Sequence, residues 1–130
     1  MDAKRALDAA GGDFEKAKAA LIASGIAKAD KKGDRVAGAG YLEAYIHSGR
    51  IGVLLEIFAE TDFVTRGETF REAAHNLAMQ ISATSPETVE QLLAMPYLRD
   101  EAMTVEQYIK TVIAKTGENI KVSRFTRYQL

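Results

Sequence analysis

The sequence predicts an α+β fold, an N-terminal helical hairpin followed by a three-stranded antiparallel sheet packed with helices. Three observations lead there. Residues 41–46 and 50–58 are rich in β-branched and aromatic side chains, with His47-Ser48-Gly49 as a tight turn between them. Apolar residues then recur at helical spacing, first in Phe70, Ala74, Leu77, Ala78 and Ile81, and again in Val105, Tyr108, Ile109, Val112 and Ile113. Residues 119–128 alternate once more as a strand, with Lys121, Arg124 and Arg127 along it.

Composition bounds what such a fold can do. The chain has 130 residues and 47% hydrophobic content, which suits one modest core and a small appendage. A net charge of −1 offers no footprint for nucleic acid and no attraction to anionic lipid, so neither partner is expected. Without cysteine there is no disulfide, zinc-thiolate site or thiol nucleophile. No apolar stretch reaches the roughly 20 residues of a membrane helix, and no signal-peptide pattern opens the chain. A soluble cytoplasmic protein is the expectation.

Taken in order, residues 2–24 read as two short helices. Asp2 caps the first, Gly11-Gly12 breaks it, and Asp13 caps the second. Phe14, Ala17, Ala20 and Leu21 share one face of the second helix, which Ser24-Gly25 should close. Lys28 to Arg35 is a charged linker, giving an expected division into an appendage over 1–25, a linker over 26–38 and a core over 39–130. The strand over 50–58 is apolar on both faces, as a central strand would be. Thr65-Arg66-Gly67-Glu68 and Thr69-Phe70-Arg71-Glu72 both fit a capping box for the core helix, which Thr84-Ser85 ends. Ser85-Pro86 suits the start of a short helix over 87–94, stopped by Pro96. Thr104-Val105-Glu106-Gln107 opens a last helix that Gly117 closes.

Enzyme chemistry finds little support. His47 lies on the hairpin and His75 on a helix, with no paired-histidine spacing, and no Gly-rich phosphate loop follows a strand. Neither a metal nor a cofactor is expected. The informative stretch is Glu60-Thr61-Asp62-Phe63-Val64-Thr65-Arg66, which connects the central strand to the core helix. Here a large aromatic sits beside a carboxylate where neither is needed to continue an element, and connections often carry function. Phe63 is read in two ways, as a side chain that enters a partner or as a core plug with Asp62 as a cap.

The stretch Ala59-Glu60-Thr61-Asp62-Phe63-Val64 resembles the signature of the elongation factor Ts family, nucleotide-exchange factors of the GTPase elongation factor Tu. Four further segments agree with that family in order. They are the run from Met1 to Asp13, the hairpin from Tyr45 to Leu54, Leu92 to Tyr97, and Ile113 to Ile120 leading into Arg124-Phe125-Thr126-Arg127-Tyr128. The resemblance covers nearly the whole chain. It implies a translation elongation factor without covalent chemistry, in which Phe63 wedges into the GTPase near its magnesium and phosphate sites, with Asp62 beside it and Thr61 and Val64 as flanking partner contacts. A second contact set falls on Thr116 and Gly117, where the family usually has isoleucine at the position of Thr116. His47 matches a histidine of the family's Tyr-x-His hairpin, and Asp2, Lys4, Arg5 and Leu7 match an N-terminal contact.

The resemblance also implies departures. The family's N-terminal module, similar to the ubiquitin-associated fold, has a helix before Met1, which matches an internal methionine. A long helical insertion common in the family does not fit between Ile81 and Leu92. Only one core module is present, and short relatives compensate by pairing two chains near the last strand. Thr126 stands where some of them carry a cross-linking cysteine, so a homodimer here is non-covalent, and Phe125 and Tyr128 would sit at its edge. The alternative from a different class is an interaction adaptor working through the N-terminal helices, which would not need Asp62-Phe63.

Overall fold

The computed structural model describes residues 13–130, and its order of elements follows from one central strand. Strand β2 (Ile51–Ala59) pairs antiparallel with β1 (Ala39–His47) on one side and β5 (Lys121–Gln129) on the other. Ser48 and Gly49 turn the β1–β2 hairpin with φ of 52° and 66°, and Arg50 N–H donates to the His47 carbonyl at 3.0 Å. A turn with two left-handed residues matches the twist of the strands it joins. His47 is therefore the last strand residue, and the turn begins one residue later than its composition suggests.

Strand β2 is central, but it is covered on one face only. Val53, Leu55, Ile57 and Ala59 are buried, while Leu54 is 44% exposed. The other face stays open because three antiparallel strands with helices against one face leave the other to solvent. On the covered face, helix α3 (Glu68–Thr84) contributes Phe70, Ala74, Leu77, Ala78 and Ile81, all fully buried. Helix α5 (Val105–Thr116) adds Val105, Ile109, Val112 and Ile113. Phe125 of β5 also packs against this core, so of the two aromatics expected at the edge only Tyr128 stays outside.

Caps decide where these helices start. Thr104 and Gln107 form the complete capping box expected for α5, and Gly117, with φ of 77°, ends it. Helix α3 uses neither expected box: its N-cap is Gly67, and no side chain caps it. Thr65 is occupied one turn earlier, where its hydroxyl donates to the Asp62 carbonyl at 3.1 Å. Ser85 is the left-handed C-cap of α3 rather than a helix start, and the short helix α4 (Val89–Ala94) is instead capped by Thr88. Beyond it lies a small hairpin that no periodicity announced, β3 (Pro96–Tyr97) against β4 (Asp100–Thr104). Buried Gln80 fixes it, donating to the Pro96 carbonyl at 3.1 Å and accepting from Leu98 N–H at 2.9 Å. Tyr97 stacks on Tyr108 with ring centroids 4.0 Å apart, and burial pushes its phenol above the ordinary range.

The N-terminal helix differs most from expectation. Helix α1 (Phe14–Asp30) begins at the Asp13 cap but passes straight through Ser24-Gly25. Gly25 is helical because α1 presses on α5 there: a Cβ at this position would meet Ala114 Cβ at 3.3 Å. Lys110 Nζ then reaches Asp30 Oδ1 at 2.8 Å, and this ion pair raises the lysine pKa. Of the expected face only Ala17 is buried, together with Ala29 and the half-buried Ile22, Gly25 and Ile26, whereas Phe14 is 71% exposed and Ala20 and Leu21 are exposed. The connection to β1 is thus residues 31–38, shorter than the linker expected over 26–38. The expected first helix, with Asp2, Lys4, Arg5 and Leu7, lies outside the described residues. Among the described residues no helix is long and apolar enough to cross a membrane.

Candidate partner-binding site

Directly after β2 the chain makes one helical turn, α2 (Asp62–Thr65), with extended Thr61 as its N-cap. Thr61 Oγ accepts from Val64 N–H at 3.4 Å, and Arg66 N–H donates to the Asp62 carbonyl at 3.1 Å. Val64 and Thr65 are buried and anchor the turn, so Val64, expected as a partner contact, packs into its own core instead, and Arg71 Nε donates to the Thr65 carbonyl at 3.3 Å. With those two residues directed inward, the turn geometry directs the two before them outward. Asp62 is exposed and Phe63 is 86% exposed, so the core-plug reading of Phe63 does not hold.

A second turn lies alongside, at the end of α5. Gly117 N–H donates to the Ile113 carbonyl at 2.8 Å, and Glu118 N–H donates to Thr116 Oγ at 3.3 Å. Two carboxylates join the turns. Glu118 Oε1 accepts from Thr61 N–H at 2.9 Å, while its Oε2 accepts from Thr61 Oγ at 2.7 Å. In the opposite direction, Glu60 Oε1 accepts from Asn119 N–H at 2.7 Å and lies 3.7 Å from the Arg35 guanidinium. Asn119 Nδ2 donates onward to the Arg35 carbonyl at 2.8 Å, which ties residues 31–38 to the same place.

Phe63 and Thr116 consequently border one concavity of about 580 Å³, with Arg66, Gly67 and Lys115 also in its wall. The structure brings together the two sets expected at 61–64 and 116–117. It does not bring His47 to them. His47 ends β1 at the far end of β2, eight strand steps or roughly 27 Å away. There its Nδ1 lies 3.0 Å from the Tyr45 hydroxyl. His75 is exposed, with its ring edge-on to Tyr45 at 5.6 Å. Among the described residues no group of three or more acidic or histidine side chains could hold a metal ion.

What the arrangement offers is an exposed apolar projection beside an acid, on a turn fixed by bonds to the neighbouring turn. Sequence reasoning missed Glu118, Asn119 and the role of Glu60. Their partners lie 57 to 59 residues away, and no local spacing encodes such a bond.

A family model described as Elongation factor TS matches residues 60–130, which contain both turns. An elongation factor Ts from a Nostoc species is 46% identical over 131 residues, all of this chain and 41% of that protein. Its counterpart from Gloeothece citriformis is 38% identical over 177 residues, covering 62% of its length. In Thermotoga petrophila the elongation factor Ts is 38% identical over 174 residues, with all of this chain and 87% of the relative covered. The chain thus spans about half the length of the first two relatives. The last two alignments need far more positions than the chain's 130 residues, so these relatives carry residues that it lacks.

Proposed function

The chain belongs to the elongation factor Ts family, and on that premise we propose that it is a guanine-nucleotide exchange factor that promotes GDP release from elongation factor Tu. Phe63 is the wedge, aimed near the magnesium and phosphate sites of the GTPase, and Asp62 engages the partner beside it. Thr61 and Val64 hold the turn. Thr116 and Gly117 supply the adjoining contact, His47 is an outlying contact, and Lys4 and Leu7 are further contacts. The core module over 39–130 carries the activity. The observation that supports this best is the 86% exposure of Phe63 on a turn whose next two residues are buried. A large aromatic on a fixed backbone enters a partner with little ordering cost, as interface hot spots do.

Exchange then follows from linkage. A factor that binds nucleotide-free elongation factor Tu more tightly than the GDP-bound form weakens GDP by the same ratio. The work is conformational, and no bond is made or broken. The direct test is release of labelled GDP from elongation factor Tu with and without this protein, where acceleration supports the proposal and an unchanged rate refutes it.

The proposal includes a non-covalent homodimer through the open sheet face along β5. Leu42, Ile46, Leu54 and Tyr128 are exposed large side chains that β pairing places on the face opposite the buried Val53 and Leu55. Apolar patches of this kind mark association surfaces. Dimer population depends on concentration. Sedimentation equilibrium tests this, since a mass that stays at 14.2 kDa up to high micromolar concentration excludes the dimer.

A further inference from the structure

We propose that Glu118 is a positioning residue: together with Glu60 it forms a reciprocal carboxylate clamp that holds the Phe63 turn ready before any partner arrives. This rests on the exchange function proposed above and adds to it the device that sets the wedge. Glu118 takes both donors of one residue, the N–H and the hydroxyl of Thr61, at 2.9 and 2.7 Å. Donating that proton leaves the lone pairs of Thr61 Oγ available to accept from Val64 N–H at 3.4 Å. The carboxylate of one turn thereby directs the cap of the other, and the cap sets the first residues of α2, Phe63 among them.

Glu60 runs the same connection backwards, accepting from Asn119 N–H at 2.7 Å. Two charge-assisted contacts of opposite direction resist sliding of one turn past the other better than either alone. They are needed here because Asp62 and Phe63 contribute no burial of their own, and α2 is a single turn, too short to be stable without tertiary bonds. Asn119, buried between the turns, extends the clamp to the Arg35 carbonyl at 2.8 Å. Residues 31–38 are therefore docked on the element that presents the wedge.

Losing the clamp should cost preorganisation and leave the wedge itself intact. Glu118→Ala should therefore raise the concentration for half-maximal GDP release by about tenfold, the scale of one charge-assisted hydrogen bond, with the maximal rate retained. Glu118→Gln, which keeps one acceptor, should fall between the two. Thr61→Val should lose about as much as Glu118→Ala, and the double variant no more than either alone. An independent arm needs no partner: the Thr61 amide of the free protein should exchange its hydrogen about tenfold faster in Glu118→Ala, with core amides of 73–81 unchanged. An unchanged Thr61 amide, or additive losses in the double variant, overturns the clamp. Wild-type protein that releases no GDP sinks the exchange function instead, and the amide measurement still decides the clamp.

Discussion

Phe63, 86% exposed, and Phe70, fully buried, stand seven positions apart, and the break between α2 and α3 lies between them. Both are phenylalanines on short-range helical backbone, yet only Phe70 meets the sheet, with its ring edge-on to Tyr41 at 5.9 Å. At the first turn the inward places are taken by Val64 and Thr65, which leaves Phe63 directed away. The two also differ in what holds them. Phe70 is fixed by packing, whereas the turn that carries Phe63 is fixed by hydrogen bonds, from Val64 N–H to Thr61 Oγ, from the Thr61 hydroxyl to Glu118 and from Arg71 Nε to the Thr65 carbonyl. On the proposed exchange function, an aromatic held in place without burial meets its partner with little ordering cost.

The comparison can be broken by truncating each side. Phe70→Ala should destabilise by about 3–5 kcal/mol, lowering the melting temperature by on the order of 10–20 °C. A loss under ~1 kcal/mol would mean that the core does not depend on that ring. Thr104→Ala, which removes a complete capping box from α5, should cost about 1 kcal/mol and shift the melt by a few degrees. Phe63→Ala should lie within about 0.5 kcal/mol of wild type, as a surface substitution does. Asp62→Ala should likewise melt as wild type and lose less exchange than Phe63→Ala, because its backbone carbonyl, not its carboxylate, holds the turn.

The same contrast governs what could be read from the residues. Helix α5 was legible from end to end, because Thr104, Gln107 and Gly117 state its limits locally. Helix α1 was not: Gly25 looks like a stop, and only its approach to Ala114 makes it helical. The box at Thr65 fits a local rule that another local bond overrode, since the Thr65 hydroxyl bonds to the Asp62 carbonyl within α2. Strand β2 was legible as central through its apolar content, while its open face depended on which side of the sheet the helices cover. At the site, Asp62-Phe63 could be found by its wording. Glu118 could not, because its bonds to Thr61 cross 57 residues of chain.

The most direct measurement is GDP release from elongation factor Tu driven by wild-type protein and by Phe63→Ala, at matched concentrations and with matched melting curves. If Phe63 is a wedge outside its own core, the wild type accelerates release and the variant loses most of it, about 2–4 kcal/mol of interface energy, while melting as before. A variant that releases GDP as fast as wild type, or one that loses activity only because it unfolds, would contradict the wedge.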